Sequence, residues 1–193
     1  MLYFQQAGLT LVELMIVVAL MAIVASLAGP SFNNYIVMQR LRSVQAQLVT
    51  DLNYARSEAV SRGTFVQMRV QSDSTQTCYV IYARSDAGTN APCDCTQAEG
   101  ARCGTGRTEI KTVQLPLGNQ VKVTVPSTQT DPLTISPRTG GTNMVGVDET
   151  RTVVDFVVRT EIDSQRQFRT SMSPQGRLVV CSPTVATVGG TAC

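Results

Sequence analysis

The stretch LVTDLNYARSEAVSRGTFVQMRV, residues 48 to 70, changes period in its middle. Leu48, Leu52, Ala55 and Ala59 fall three or four positions apart, the spacing of one face of an α-helix. From Thr64 the rhythm is two: Val66, Met68 and Val70 alternate with Gln67, Arg69 and Gln71, as in a half-buried strand. Between the two halves stands Gly63, the residue type that most readily adopts the left-handed backbone closing a helix. A helix that runs into a strand with no linker has its apolar face beside that strand, so the expected fold class is α+β.

Towards the C-terminus the period stays at two. The segments TFVQMRVQ, TCYVIYAR, TEIKTVQL, VKVTV, PLTIS, TVVDFVVR, RQFRTSMS and GRLVVCS read as strands, parted by Gly, Pro, Asn, Asp and Ser turns. No helical pattern lies between them, so the sheet is expected to be antiparallel. Ser85 to Gly106 has no period and reads as loop, and TGGT at Thr139 to Thr142 reads as a tight turn rather than a phosphate cradle.

Towards the N-terminus the helical period continues through Ile36, Val37, Leu41 and Val44, with Arg40, Arg42, Gln45, Gln47, Asp51, Arg56 and Glu58 falling between the apolar positions and expected on the solvent side. From Leu9 to Gly29 the chain is 21 residues with one charge, Glu13. A helix of about 20 residues at about 1.5 Å each crosses a hydrocarbon core of about 30 Å, so this segment is expected to span a membrane. Pro30, with Gly29 before it, should remove one backbone hydrogen bond and kink or locally melt the helix. The expected organisation is a leader at 1–8, a membrane helix at 9–29, the amphipathic half of the same helix at 30–62, and a β domain at 63–193. A cleaved secretory signal fits poorly, because MLYFQQAG at the start holds no Lys or Arg. A plain anchor leaves Glu13 unexplained, since an acid inside a bilayer costs about 2.5–3.5 kcal/mol on insertion scales.

Composition narrows the function. The net charge is +2, and beyond residue 62 twelve Lys and Arg face eleven Asp and Glu, so no global field recruits a polyanion. The chain has no histidine, which removes the commonest general base and metal ligand, and no phosphate-binding or dinucleotide motif occurs. No catalytic activity, cofactor or metal is expected.

The N-terminal run G-LTLVELM, with Gly8 before Leu9 and Glu13 as the fifth residue after it, resembles the signal of type IV prepilins and type II secretion pseudopilins. Residues 48 to 70 and RQFRTSMSPQGRLVVC, Arg166 to Cys181, resemble the FimT, FimU and GspH group of that superfamily. The resemblance implies that a prepilin peptidase cuts after Gly8 and that the new N-terminus at Leu9 is methylated. It implies that Glu13 pairs with the N-terminal amine of a neighbouring subunit as the helix, with Pro30 in its course, leaves lipid for a filament bundle. The implied partners are other major and minor pilins and the peptidase. The implied location is the bacterial inner membrane with a periplasmic domain, then an extracellular pilus near its tip. A pilus subunit that primes or tips assembly and a secretion pseudopilin both fit. In this setting Arg56 and Glu58 of ARSEA are expected to be solvated.

Six cysteines, Cys78, Cys93, Cys95, Cys103, Cys181 and Cys193, in a domain outside the cytoplasm favour disulfides; CDC with Cys103 lacks the paired C-x-x-C knuckles of a zinc site. Cys181 and Cys193 enclose a glycine-containing tail resembling the C-terminal disulfide loop of many pilins. The other four allow three connectivities. A DNA-capturing role is the remaining alternative. DNA-binding members of the FimT group carry Gly-Arg-x-Arg near the C-terminus, where this chain has Gly176, Arg177, Leu178 and Val179. Arg177 would then need Arg166 or Arg169, brought near by hairpin pairing, to hold double-stranded DNA.

Overall fold

The computed structural model describes residues 10–85, 91–126, 132–142, 154–160, 163, 165–183 and 191–193, without the side chains at 27–31 and 154. One helix, α1, covers Leu11–Arg62, and the chain divides into two compact units, Met1–Met38 and Gln39–Cys193.

In the first unit Thr10 precedes the helix and its Oγ1 accepts the N–H of Glu13 at 3.3 Å. This is the first half of a capping box, in which Ser or Thr satisfies an orphan donor of the first turn and Glu stands three residues on. Every large apolar side chain from Leu11 to Val24 is exposed, 46% for Val17 rising to 75% for Leu11. The helix continues through Gly29 and Pro30, so the expected local melting does not occur; the missing Pro N–H costs one rung of a ladder held on both sides. Among the described residues no helix is long and apolar enough to cross a membrane. The expected span at 9–29 runs past them, since Leu9 and the side chains at 27–31 lie outside.

Among the described residues of the second unit eight strands follow: β1 (Phe65–Ser72), β2 (Gln76–Arg84), β3 (Arg107–Pro116), β4 (Val121–Thr124), β5 (Leu133–Ile135), β6 (Val154–Thr160), β7 (Gln167–Met172) and β8 (Leu178–Cys181). They form two four-stranded antiparallel sheets, ordered β3-β2-β1-β5 and β4-β6-β7-β8. Gly63 closes the helix at φ +64°. The α+β architecture is thus an amphipathic helix packed on antiparallel sheet.

The helix buries Leu41, Leu48, Leu52, Ala55 and Ala59, one stripe at the helical period. Three polar residues expected on the solvent side are drawn in. Gln45 is buried and its amide donates to Thr170 Oγ1 of β7. Asp51 is buried against β2 and β3, and half-buried Arg56 donates from Nε to the carbonyl of Gly140 at 2.7 Å. The stripe facing two sheets is wider than a single apolar row, and each polar side chain within it has a partner across the interface.

Strand β2 is covered on both faces. Tyr79 reaches the helix, while Cys78, Val80 and Tyr82 pack with Cys93, Cys95 and Cys103 of the segment between β2 and β3. That segment has no regular structure over its described residues, as its sequence suggested.

Candidate functional site

The first candidate surface is the N-terminal turn. Gly8 and Leu9, the expected cleavage pair, lie outside the described residues. Glu13 is in the first turn of α1, exposed, where a carboxylate meets the positive end of the helix dipole. Pro30 is helical in its backbone and its side chain is not described.

The second surface is the disulfide framework. Cys78 is bonded to Cys95, Cys93 to Cys103 and Cys181 to Cys193. The first fastens the segment after β2 to the outer face of the first sheet, and the second closes a loop within that segment. Gln71 Oε1 accepts the Cys95 N–H at 2.9 Å, Gln114 donates to the Cys95 carbonyl at 3.1 Å, and Arg102 pairs with Glu109 at 2.8 Å. Burial pushes the Glu109 carboxyl up, but the Thr112 hydroxyl and Arg102 outweigh it and hold the group below its ordinary range. Asp94 turns the segment: its Oδ1 accepts Thr96 Oγ1 at 2.6 Å and Thr96 N–H at 2.9 Å, and the hydroxyl contact in particular depresses its pKa.

Arg166, Arg169 and Arg177 are not brought together. Arg166 pairs with Asp163 at 3.4 Å, and Arg169 faces Cys181 across the hairpin. The last pair of that hairpin is Met172 with Leu178, so exposed Arg177 lies in the connecting turn. Three residues separate Arg169 from the turn end of β7, about 10 Å of strand, and Arg166 is farther still.

Two groupings had no forecast in the sequence reading. In the first, Asp51 accepts from Tyr79 Oη at 2.7 Å and from Lys111 Nζ at 2.6 Å. Burial, then the Asp51 contact, raises the Tyr79 pKa well above its ordinary value, so the phenol stays a donor. The available signal was position: Asp51 adjoins Leu52 and follows Leu48 by three, which places it on the buried stripe. In the second, Arg56 meets two turns that touch. A Cβ on Gly141 would lie 1.6 Å from the carbonyl oxygen of Pro174, and one on Gly176 would lie 2.5 Å from that of Gly140. The ARSEA, TGGT and PQGR stretches therefore meet at one joint, and Arg56 is not a solvated marker. Glu58 pairs with Arg62 on the surface.

The sequence matches two family models. The one described as type II transport protein GspH covers residues 45–176, and the one described as prokaryotic N-terminal methylation motif covers residues 4–29. The chain belongs to the GspH family. This GspH-family chain shares its fold with the type IV minor pilin FimU of Pseudomonas aeruginosa, with a TM-score of 0.51 and 18% identity over 74% of this chain and 88% of that one. The minor pseudopilin EpsH from the type 2 secretion system of Vibrio cholerae superposes with a TM-score of 0.45 and 14% identity over 73% of this chain and 96% of that one. The GspH-family chain thus joins an N-terminal methylation motif to the helix, sheets and disulfides described above.

Proposed function

We propose that this chain is a minor type IV pilin that is cut by a prepilin peptidase between Gly8 and Leu9, waits in the inner membrane on its apolar helix, and then enters a pilus at or near the tip to prime assembly. The observation that supports this reading is the pairing of an N-terminal methylation motif at 4–29 with a helix whose apolar side chains from Leu11 to Val24 find no cover in the monomer. Side chains of that size are left exposed at a cost of about 1.5–3 kcal/mol each in water, so the segment belongs in lipid or among other helices. A small residue at position 8 lets the backbone enter a protease cleft.

A second reading, a pseudopilin of a type II secretion system, is favoured by the description of the matching family itself. One experiment separates the two. In a strain deleted for this chain, the pilin reading expects loss of surface pili with exoprotein secretion intact; the pseudopilin reading expects the reverse. Intact mass of the protein recovered from native membranes should begin at Leu9 and carry one added methyl group. Retention of residues 1–8 would refute the processing step.

A further inference from the structure

We propose that the C-terminal segment caps the outer edge of the second sheet, held there by Cys181–Cys193, and that without this cap β8 pairs with β8 of a second copy of this chain. In the order β4-β6-β7-β8 the last strand has one neighbour, β7. Alternate residues of an antiparallel strand turn their backbone groups to the same side, so Val180 and Ser182 point away from β7 when Cys181 points towards it. Three of those four outward groups are taken by the chain's own end. The Ser182 N–H donates to the Thr191 carbonyl at 2.7 Å, the Ser182 carbonyl accepts the Cys193 N–H at 3.1 Å, and Thr191 Oγ1 donates to the Val180 carbonyl at 3.3 Å. Ser182 and Ala192 form a parallel bridge, and the Cys181–Cys193 bond closes the arrangement. The tail thus behaves as a fifth strand one bridge long.

An open strand edge is ordinarily guarded by charge, proline, bulges or a covering segment. Residues 178 to 193 contain no Asp, Glu, Lys or Arg, Pro183 is their only proline, and Val179 is 47% exposed. The covering segment therefore carries the protection that charge carries elsewhere. The same lack of charge selects the occupant once the cap is gone. An antiparallel self-pair centred on Val180 sets Leu178 opposite Ser182 and Val179 opposite Cys181, with no like charges across the seam. Arg177 would face Pro183, so the only nearby charge meets none of its own kind.

The test compares the full chain in detergent with Cys181→Ser/Cys193→Ser, by amide hydrogen exchange and by detergent-corrected molar mass. The expected result is a twofold rise in mass, with the Ser182 amide protected at high protein concentration, where the β8 pair holds it, and exposed on dilution to the monomer. Adding Ser182→Pro, which removes the outward N–H and the hydroxyl contact with the Gln167 carbonyl but leaves the backbone ladder from Arg169–Cys181 to Met172–Leu178, should return the mass to that of the parent. A second variant, Cys181→Ser with the chain stopped after Pro183, removes the cap outright and should double in mass as well. Cys78–Cys95 and Cys93–Cys103 recovered intact by peptide mapping mark each variant as folded. Unchanged mass in both folded variants, Ser182 protection in the double variant that does not depend on protein concentration, or association that survives Ser182→Pro would overturn the proposal.

Discussion

Asp51 has almost no solvent contact, with Leu48, Leu52 and Ala55 around it on the helix stripe. A carboxylate placed there without partners would cost several kcal/mol, and two donors from the first sheet supply them. Lys111 keeps 38% of its side chain exposed, so it can leave for water if Asp51 is lost, whereas Asp51 has no such route if Lys111 is lost. Lys111→Met should therefore destabilise the fold by about 2–3 kcal/mol, at least as much as Asp51→Ala, although lysine is the more exposed partner. Asp51→Leu combined with Lys111→Met should recover most of that loss, because no charge is then stranded. Denaturant unfolding followed by tyrosine fluorescence measures all three, the chain having no tryptophan. Additive losses in the double variant would show that the pair is not coupled. Asp94 gives a pH-dependent counterpart. Its folded pKa lies below its unfolded value, so its contribution is full above the ordinary aspartate pKa of about 4 and is lost as the pH falls through the lower folded value. Exchange of the Thr96 amide, measured relative to amides elsewhere in the domain, should rise on that acidic side and stay flat above about pH 5.

The helix and all eight strands are legible in the sequence because their periods are local, set within four residues for the helix and two for a strand. What joins the elements is less so. Arg56 and Gly140 are 84 positions apart, and Gly141 meets Pro174 across 33, separations at which a single sequence carries no pattern. The glycines could be read as turns, but their tertiary reason, two turns in contact, could not. The four remaining cysteines were open for a different cause, since each pairing closes a short loop and loop cost varies only slowly with length. At this joint Gly141→Ala forces a methyl into the Pro174 carbonyl, and backbone must move to admit it. The expected loss is about 2–4 kcal/mol, in the range of severe overpacking. Gly104→Ala is the control, since a Cβ there meets nothing within 4 Å. Thermal unfolding should show a large drop for the first and little for the second; equal shifts would mean that the two turns separate at no cost.

For the whole molecule the question is where Glu13 resides before and after assembly. The sequence marked it as anomalous, an acid in an apolar helix, and the structure adds that its N–H is held by Thr10. Two roles then compete for the side chain. As a helix-start residue it would favour the first turn through the dipole by about 0.3–1 kcal/mol. As an assembly residue it would lower insertion into lipid by about 2.5–3.5 kcal/mol and regain that by pairing with a neighbouring subunit's amine. Glu13→Ala removes both, so it cannot decide between them alone. Thr10→Ala removes the cap and leaves the carboxylate. If pairing is the role, Glu13→Ala stays in the membrane fraction, at the parent level or above, and is depleted severalfold from purified filaments, while Thr10→Ala enters filaments nearly as the parent does. If the helix start is the role, the two variants are depleted alike. Quantifying each variant in membrane and filament fractions of the same cells reads both arms, and filament entry by Glu13→Ala at the parent level would remove the pairing role altogether.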